Sequence, residues 1–261
     1  LITGAGSGIG RALALELADR GHDLILCGRT ASKLSQVAYE AEALPSSPEV
    51  VTVAVDLSDT AGCERLAQRV AEVTGRLGAF VHCAGLGEPA ADFASVDIND
   101  FQQALAVNVT APLVLTQSLL ALLVPTTAAA RVLMVGAGMD TRVQPGTASY
   151  GISKMALRRL VQQLGVEFNP ARGDPAVALF QPGVVDTEGI RDHIDRAESL
   201  GLAHAQWLRD RLERGECLSP EQAARAIALA LAQVPESDFH AAVLSAGDLL
   251  DTVQSNSGPQ T

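Results

Sequence analysis

The sequence predicts an α/β protein: a doubly wound parallel sheet with helices on both faces, three layers deep. Two observations lead to this reading. Apolar strand-like segments alternate with amphipathic stretches of helix length from the first residue almost to the last, which is the pattern of successive βαβ units. The composition also fits, with 48% apolar residues but only 3% aromatic ones across 261 positions. Such a core is built from Ala, Leu and Val, as suits strands buried on both faces.

The strand candidates are the stub Leu1–Ile2, then 23–27, 50–55, 79–82, 131–135, 176–180 and 241–244. Amphipathic stretches at 11–20, 60–74, 101–123 and 154–168 separate them. A chain of this length with one continuous rhythm is expected to form a single domain over 1–253, followed by a loose polar tail at 254–261. One segment breaks the rhythm. Between Pro182 and Ser219 no strand is evident, and the sole tryptophan, Trp207, lies there. A long insertion after a strand's carboxyl end falls where open α/β sheets bind ligands, so residues 183–218 are expected to form a substrate lid.

Charge and cysteines exclude several function classes. A net charge of −11 argues against a nucleic-acid partner, which would require a basic stripe. No apolar run approaches the ~20 residues of a membrane span. The stretch 111–125 is interrupted by Pro112, Thr116, Gln117 and Ser118 and reads as a buried helix. Cys27, Cys63, Cys83 and Cys217 form no Cys-x-x-Cys pair, so no disulfide framework and no metal site are expected. Together these features describe a reduced, cytoplasmic protein.

The first chemical motif is Thr3-Gly4-Ala5-Gly6-Ser7-Gly8-Ile9-Gly10, set between a strand stub and a helix. A pyrophosphate can lie against backbone there only if side chains are absent, and the helix amides supply the complementary charge. Dinucleotide binding follows, with Gly4, Ser7, Gly8, Ile9 and Gly10 as the cradle. The second strand ends Cys27-Gly28-Arg29 and lacks the acid that would accept hydrogen bonds from an NAD ribose. Arg29 instead offers a planar cation suited to a 2′-phosphate, which favours NADP(H) over NAD(H). Asp56, before Leu57, is placed either to accept from an adenine amino group or to cap the helix that follows Ser58.

The second motif is Tyr150-Gly151-Ile152-Ser153-Lys154, which puts Tyr150 and Lys154 on adjacent turns of one helix face. A tyrosine acting as acid or base near neutral pH needs its pKa lowered from about 10, and a nearby ammonium does this. The pairing is notable because the chain has two tyrosines, Tyr39 and Tyr150, and two lysines, Lys33 and Lys154.

The ordered set of Thr3–Gly10, Asp56-Leu57, His82-Cys83-Ala84-Gly85, Asn108, Tyr150–Lys154 and Pro182-Gly183-Val184-Val185-Asp186-Thr187 resembles the classical short-chain dehydrogenase/reductase family. The resemblance covers residues 1–187 and, more loosely, 219–250. It implies a Rossmann sheet of about seven parallel strands, hydride transfer between nicotinamide and a carbonyl or alcohol, and homodimers or homotetramers. It further implies that Tyr150 donates the proton and that Lys154 lowers the Tyr150 pKa and binds the nicotinamide ribose. Asn108 is similar to the family asparagine that holds a relay water. Cys83, Ala84, Gly85, Pro182, Gly183, Val185 and Thr187 are implied to line the cofactor, with Thr187 near its amide or phosphates.

Two departures stand out. His82-Cys83 replaces the usual Asn-Asn pair, and His82 reads as a hydrogen-bonded strand-end residue. More consequentially, the family serine expected thirteen residues before Tyr150 is Ala137. A donor to the developing oxyanion is worth ~10²–10³ in rate in other enzymes. Thr141 and Ser149 are the nearby hydroxyls. The alternative function is therefore a weakly active or non-catalytic nucleotide-binding relative, serving as cofactor sensor or scaffold. A third reading is an interaction module whose apolar helix faces at 101–123 and 154–168 pair with a partner.

Overall fold

The computed structural model describes residues 1–87 and 90–256. The chain runs β1 (Ile2–Thr3), α1 (Gly8–Asp19), β2 (Leu24–Gly28), α2 (Ala31–Glu42), β3 (Val50–Ala54), α3 (Thr60–Val73) and β4 (Ala79–His82). It continues through α4 (Ile98–Leu105), α5 (Ala111–Leu119), β5 (Arg131–Val135), α6 (Ala148–Glu167) and β6 (Ala176–Gln181). After β6 come α7 (Glu188–Ser199), α8 (Ala203–Glu213), α9 (Pro220–Gln233), the short α10 (Glu236–Phe239), β7 (Ala242–Ser245) and α11 (Ala246–Asn256). The strands form one parallel sheet in the order β3-β2-β1-β4-β5-β6-β7. The order reverses between β1 and β4, which opens a crevice at the strands' carboxyl ends.

Strand residues alternate between two cores because successive side chains point to opposite faces. Leu26, Val81, Leu133 and Phe180 pack on one face with α1, α2 and α9. Ile25, Phe80, Met134 and Leu179 pack on the other with α3, α5 and α6. Among the described residues, no helix is long and apolar enough to cross a membrane.

Most strand positions match the sequence reading to within a residue, since pleat alternation and turn glycines mark them. The stretch 101–123 differs. It is not one helix but α4, a π-turn at Ala106–Thr110, and α5. Pro112 has no N–H to give the carbonyl of Asn108 one turn before it, so a regular α ladder cannot pass this point. The expected loose tail also differs in part, because α11 carries helical backbone through Asn256; residues 257–261 lie outside the described residues.

The segment 183–218 forms the helical hairpin α7–α8, which returns to the sheet end by a single bridge between Val185 and Leu218. Arg209 of α8 ties it on one side to Glu198 (2.8 Å) and Asp195 (2.7 Å) of α7. Ala197, Ala205 and Ala90 fill its small core. The turn of the hairpin rests on Gly146, where φ is +79° and an added Cβ would lie 2.3 Å from Leu202 Cδ1. After the hairpin, α9 starts sharply. Ser219 and Gln222 form a reciprocal capping box, and Pro220 occupies the first turn where its missing N–H costs nothing.

Candidate active site

The glycine-rich turn lies over the sheet's reversal point. Gly4 has φ +68°, and a Cβ there would come within 2.7 Å of the Ala84 amide nitrogen, so the first turn and the segment after β4 touch backbone to backbone. The first intrahelical bond of α1 runs from Arg11 N–H to the Ser7 carbonyl, leaving the amides before it without helical partners. Ser7 spends no side-chain bond on capping. Thr187 closes from the other side, its methyl 3.4 Å from where a Gly8 Cβ would sit. This side-chain-free cradle at a helix N-terminus fits a dinucleotide pyrophosphate.

At the adenosine end, Gly6, Arg11, Ser32 and Lys33 line a shallow recess of about 290 Å³. Arg29 is exposed at the end of β2 and makes no ion pair among the described residues. Lys33 was not among the residues read from the sequence; only the start of α2 beside the cradle brings it into place. Asp56 accepts from the Ser58 amide (2.9 Å) and hydroxyl (2.8 Å), which holds its carboxyl below the usual range. It does not cap α3; Asp59 does, accepting from the Ala61 amide. Leu57 is buried against α3.

A cavity of about 670 Å³ opens beyond the cradle, between the ends of β4, β5 and β6 and the α7–α8 hairpin. Ile9, Cys83, Gly85, Tyr150, Lys154, Pro182, Gly183, Val185 and Thr187 all line it, as does Ala137. The hairpin adds His193 and His204, whose rings stack 5.2 Å apart with 3.0 Å between their Nε2 atoms, and Trp207. Among the described residues, no group of three metal-ligating side chains occurs.

Tyr150 and Lys154 stand one turn apart on α6, with Nζ 5.7 Å from the ring centroid. Lys154 Nζ donates to the Val135 carbonyl at the end of β5 (2.9 Å), and burial lowers its pKa to about 8. The sequence expectation that the ammonium depresses Tyr150 is not met. Burial, and then the charge of Asp140, push the Tyr150 hydroxyl up to about 12, because the ammonium points to Val135. Asp140 was not read from the sequence either. Its side chain is wholly buried, paired with Arg158 (3.0 Å) and accepting from Gln181 (2.9 Å).

Asn108 lies behind the cavity wall, not on it. Its Oδ1 accepts from the Leu86 amide (2.9 Å), and its Nδ2 donates to the Leu86 carbonyl (3.0 Å) and Ser153 Oγ (2.8 Å). Ser153 in turn donates to the Tyr150 carbonyl (2.9 Å), so Asn108 braces the turn that carries the tyrosine. Of the two nearby hydroxyls, Thr141 is exposed and off the cavity wall, whereas Ser149 lines the cavity and its Oγ is buried without a hydrogen-bond partner among the described residues.

The family model for short chain dehydrogenases matches residues 1–197. The chain belongs to the short-chain dehydrogenase family. This family member is 31% identical over 207 residues to a sulfoacetaldehyde reductase of Chromohalobacter salexigens, covering 77% of this chain and 79% of that protein. It is 31% identical over 207 residues to the NADPH-dependent pterin aldehyde reductase of Arabidopsis thaliana, covering 79% and 83%. An 11-beta-hydroxysteroid dehydrogenase of Sesamum indicum is 30% identical over 188 residues, but the match spans 72% of this chain and only 52% of that protein. Among solved structures, a Burkholderia cenocepacia short chain dehydrogenase in complex with NADP superposes with a TM-score of 0.77, at 26% identity and 94% coverage of both chains.

Proposed function

We propose that the chain is an NADP(H)-dependent oxidoreductase acting between a carbonyl and its alcohol on a small molecule. The observation that carries this reading is the placement of Tyr150 and Lys154 side by side on the wall of a cavity continuous with the glycine-rich cradle. When bound, nicotinamide supplies or accepts the hydride. Gly4, Ser7, Gly8, Ile9 and Gly10 would hold the pyrophosphate, with Cys83 to Gly85 and Pro182 to Thr187 along the rest.

In reduction, the Tyr150 hydroxyl hydrogen-bonds the substrate oxygen and passes its proton as negative charge develops there. Lys154 holds positive charge beside it, and Asn108, through Ser153, fixes the turn on which both depend. Asp56 and Leu57 flank the adenine end. The exposed Arg29, the absence of an acid at the end of β2 and the Arabidopsis and Burkholderia relatives support NADP(H) over NAD(H). Residues 183–218 act as the lid. The exposed Ile152, Met155 and Val166 on α6 support a homodimer or homotetramer, and the four free cysteines support a cytoplasmic protein.

Ala137 favours a second reading, a weakly active or silent cofactor-binding relative. The test is NADPH binding followed by NADPH oxidation against aldehydes and ketones, in the native chain, Tyr150→Phe and Ala137→Ser. Carbonyl-dependent oxidation that falls about 10²–10⁴-fold in Tyr150→Phe is the expected result. Tight binding with no turnover in either the native chain or Ala137→Ser overturns the reductase reading and leaves the sensor.

A further inference from the structure

We propose that Asp140 is a positioning residue of this site: its buried carboxylate, clamped by Arg158 and Gln181, keeps Lys154 charged and the proton on Tyr150. The inference rests on the oxidoreductase reading for its purpose, but not for its physics.

Asp140 closes the single 3-10 turn Gly138–Asp140 that follows β5, three residues after the vacancy at Ala137. That turn lies directly on α6, with the Met139 carbonyl 3.5 Å from where a Gly151 Cβ would be. The Asp140 side chain is fully excluded from water and ties three elements together: its own turn, α6 through Arg158, and β6 through Gln181. Gln181 itself lines the cavity. A buried ion pair is a poor way to gain stability, since desolvating both charges offsets their attraction. Its place in the turn that packs on the tyrosine's helix therefore points to the field it exerts.

Arg158 is a quarter exposed, so water screens the guanidinium more than the carboxylate. The less screened negative charge disfavours both a tyrosinate and a neutral lysine: it adds to burial in raising the Tyr150 hydroxyl and, after Cys83, pulls Lys154 upward against the larger lowering by burial. Other titratable groups face the same space. Cys83 after β4 and His82 at its end lie near Lys154. Asp97, which caps α4, Asp100 of α4 and Arg142 after the turn line the outer wall; on the hairpin, His193, Arg196 and His204 do so. Of these, only Asp140 is an acid wholly buried against the tyrosine's own helix. With alanine at 137, more of the hydrogen bonding to the substrate oxygen rests on Tyr150, which can donate only while protonated. A fixed carboxylate that holds the proton there serves this arrangement.

The chain's two lysines make the test direct, because Lys33 is exposed and Lys154 is not. Carbon-13-labelled lysine in the full chain, with Lys33→Arg to assign the signals, reports the Lys154 midpoint by NMR without any turnover. Asp140→Asn keeps the shape and removes the charge. The expected result is a fall of about one pH unit, tenfold in proton affinity, with circular dichroism unchanged. A midpoint unmoved in the folded variant overturns the proposal. Asp140→Ser, which also removes the charge, carries the same test should the asparagine variant fail to fold. Where turnover is present, the alkaline limb of kcat/KM moves to lower pH in Asp140→Asn, whereas a purely structural role lowers the rate equally at every pH. A shifted lysine in a chain that reduces no carbonyl refutes the oxidoreductase reading alone; turnover with an unshifted lysine refutes this inference alone.

Discussion

His82 Nε2 donates to the carbonyl of Val107 at 3.2 Å, joining the end of β4 to the π-turn that carries Asn108. Its Nδ1 lies 3.0 Å from the Thr3 hydroxyl, whose oxygen accepts from the Ala84 amide at 3.3 Å. Because Val107 offers only an acceptor, Nε2 carries the ring proton and Thr3 is the donor to Nδ1. One buried imidazole thus braces the first strand, the cofactor-side backbone and the Asn108 turn, the work the family's usual asparagine would be expected to share.

That brace makes the fold acid-sensitive in a stated window. Burial and then the nearby Lys154 charge lower the His82 pKa to about 3, whereas the unfolded chain takes up the proton near its ordinary value of about 6.5. The native state therefore holds fewer protons, and stability present above about pH 6.5 is lost as the pH falls toward 3. His82→Asn should cost about 1–3 kcal/mol at neutral pH and flatten the decline between about pH 7 and pH 5. Urea midpoints at several pH values check this; an undiminished slope in the variant would assign the acid loss elsewhere.

Ala137→Ser restores a hydroxyl on the cavity wall, at a position only 9% exposed. It should raise kcat with little change in KM, by up to about 10²–10³-fold, because the added donor acts on charge that develops only in the transition state. Steady-state kinetics with any accepted carbonyl decides it. No gain would mean that another group already supplies the donor.

Arg29→Asp places an acid at the end of β2 and removes an exposed cation. NADPH should bind about 10–150-fold more weakly while NADH changes much less, as expected for loss of a charge-assisted bond to a phosphate. Fluorescence titration with both cofactors measures this. Equal losses would refute the 2′-phosphate assignment.

Gly146→Ala tests the docking of the lid. The new Cβ would have to occupy a positive-φ residue and displace Leu202, at a cost of about 1–2 kcal/mol. Hydrogen exchange should quicken in α7 and α8 while the sheet strands keep their protection, and KM should rise more than kcat falls. Uniform loss of protection across the sheet would show that the contact supports the whole fold.

Much was legible in the sequence because it depends on local rules. Period-2 alternation and turn glycines marked the strands of the sheet. The cradle at Gly4 to Gly10 followed from the need for bare backbone, and Tyr150 and Lys154 from one-turn spacing on a helix. The vacancy at Ala137 came from counting along the chain. Other features were settled only in three dimensions. Pro112 breaks the ladder of the apparent helix 101–123 at Asn108, but only the fold brings His82 to the Val107 carbonyl within the π-turn. Lys33, Asp140 and the stacked His193 and His204 join the site across elements far apart in sequence. Asp140 reads as an ordinary turn acid until Arg158 and Gln181 close over it. Spacing along a chain specifies which residue types share a helix face, whereas burial and charge at one point depend on everything packed around it. The sequence therefore named the reactive pair, and the tertiary structure decided the field in which that pair holds its proton.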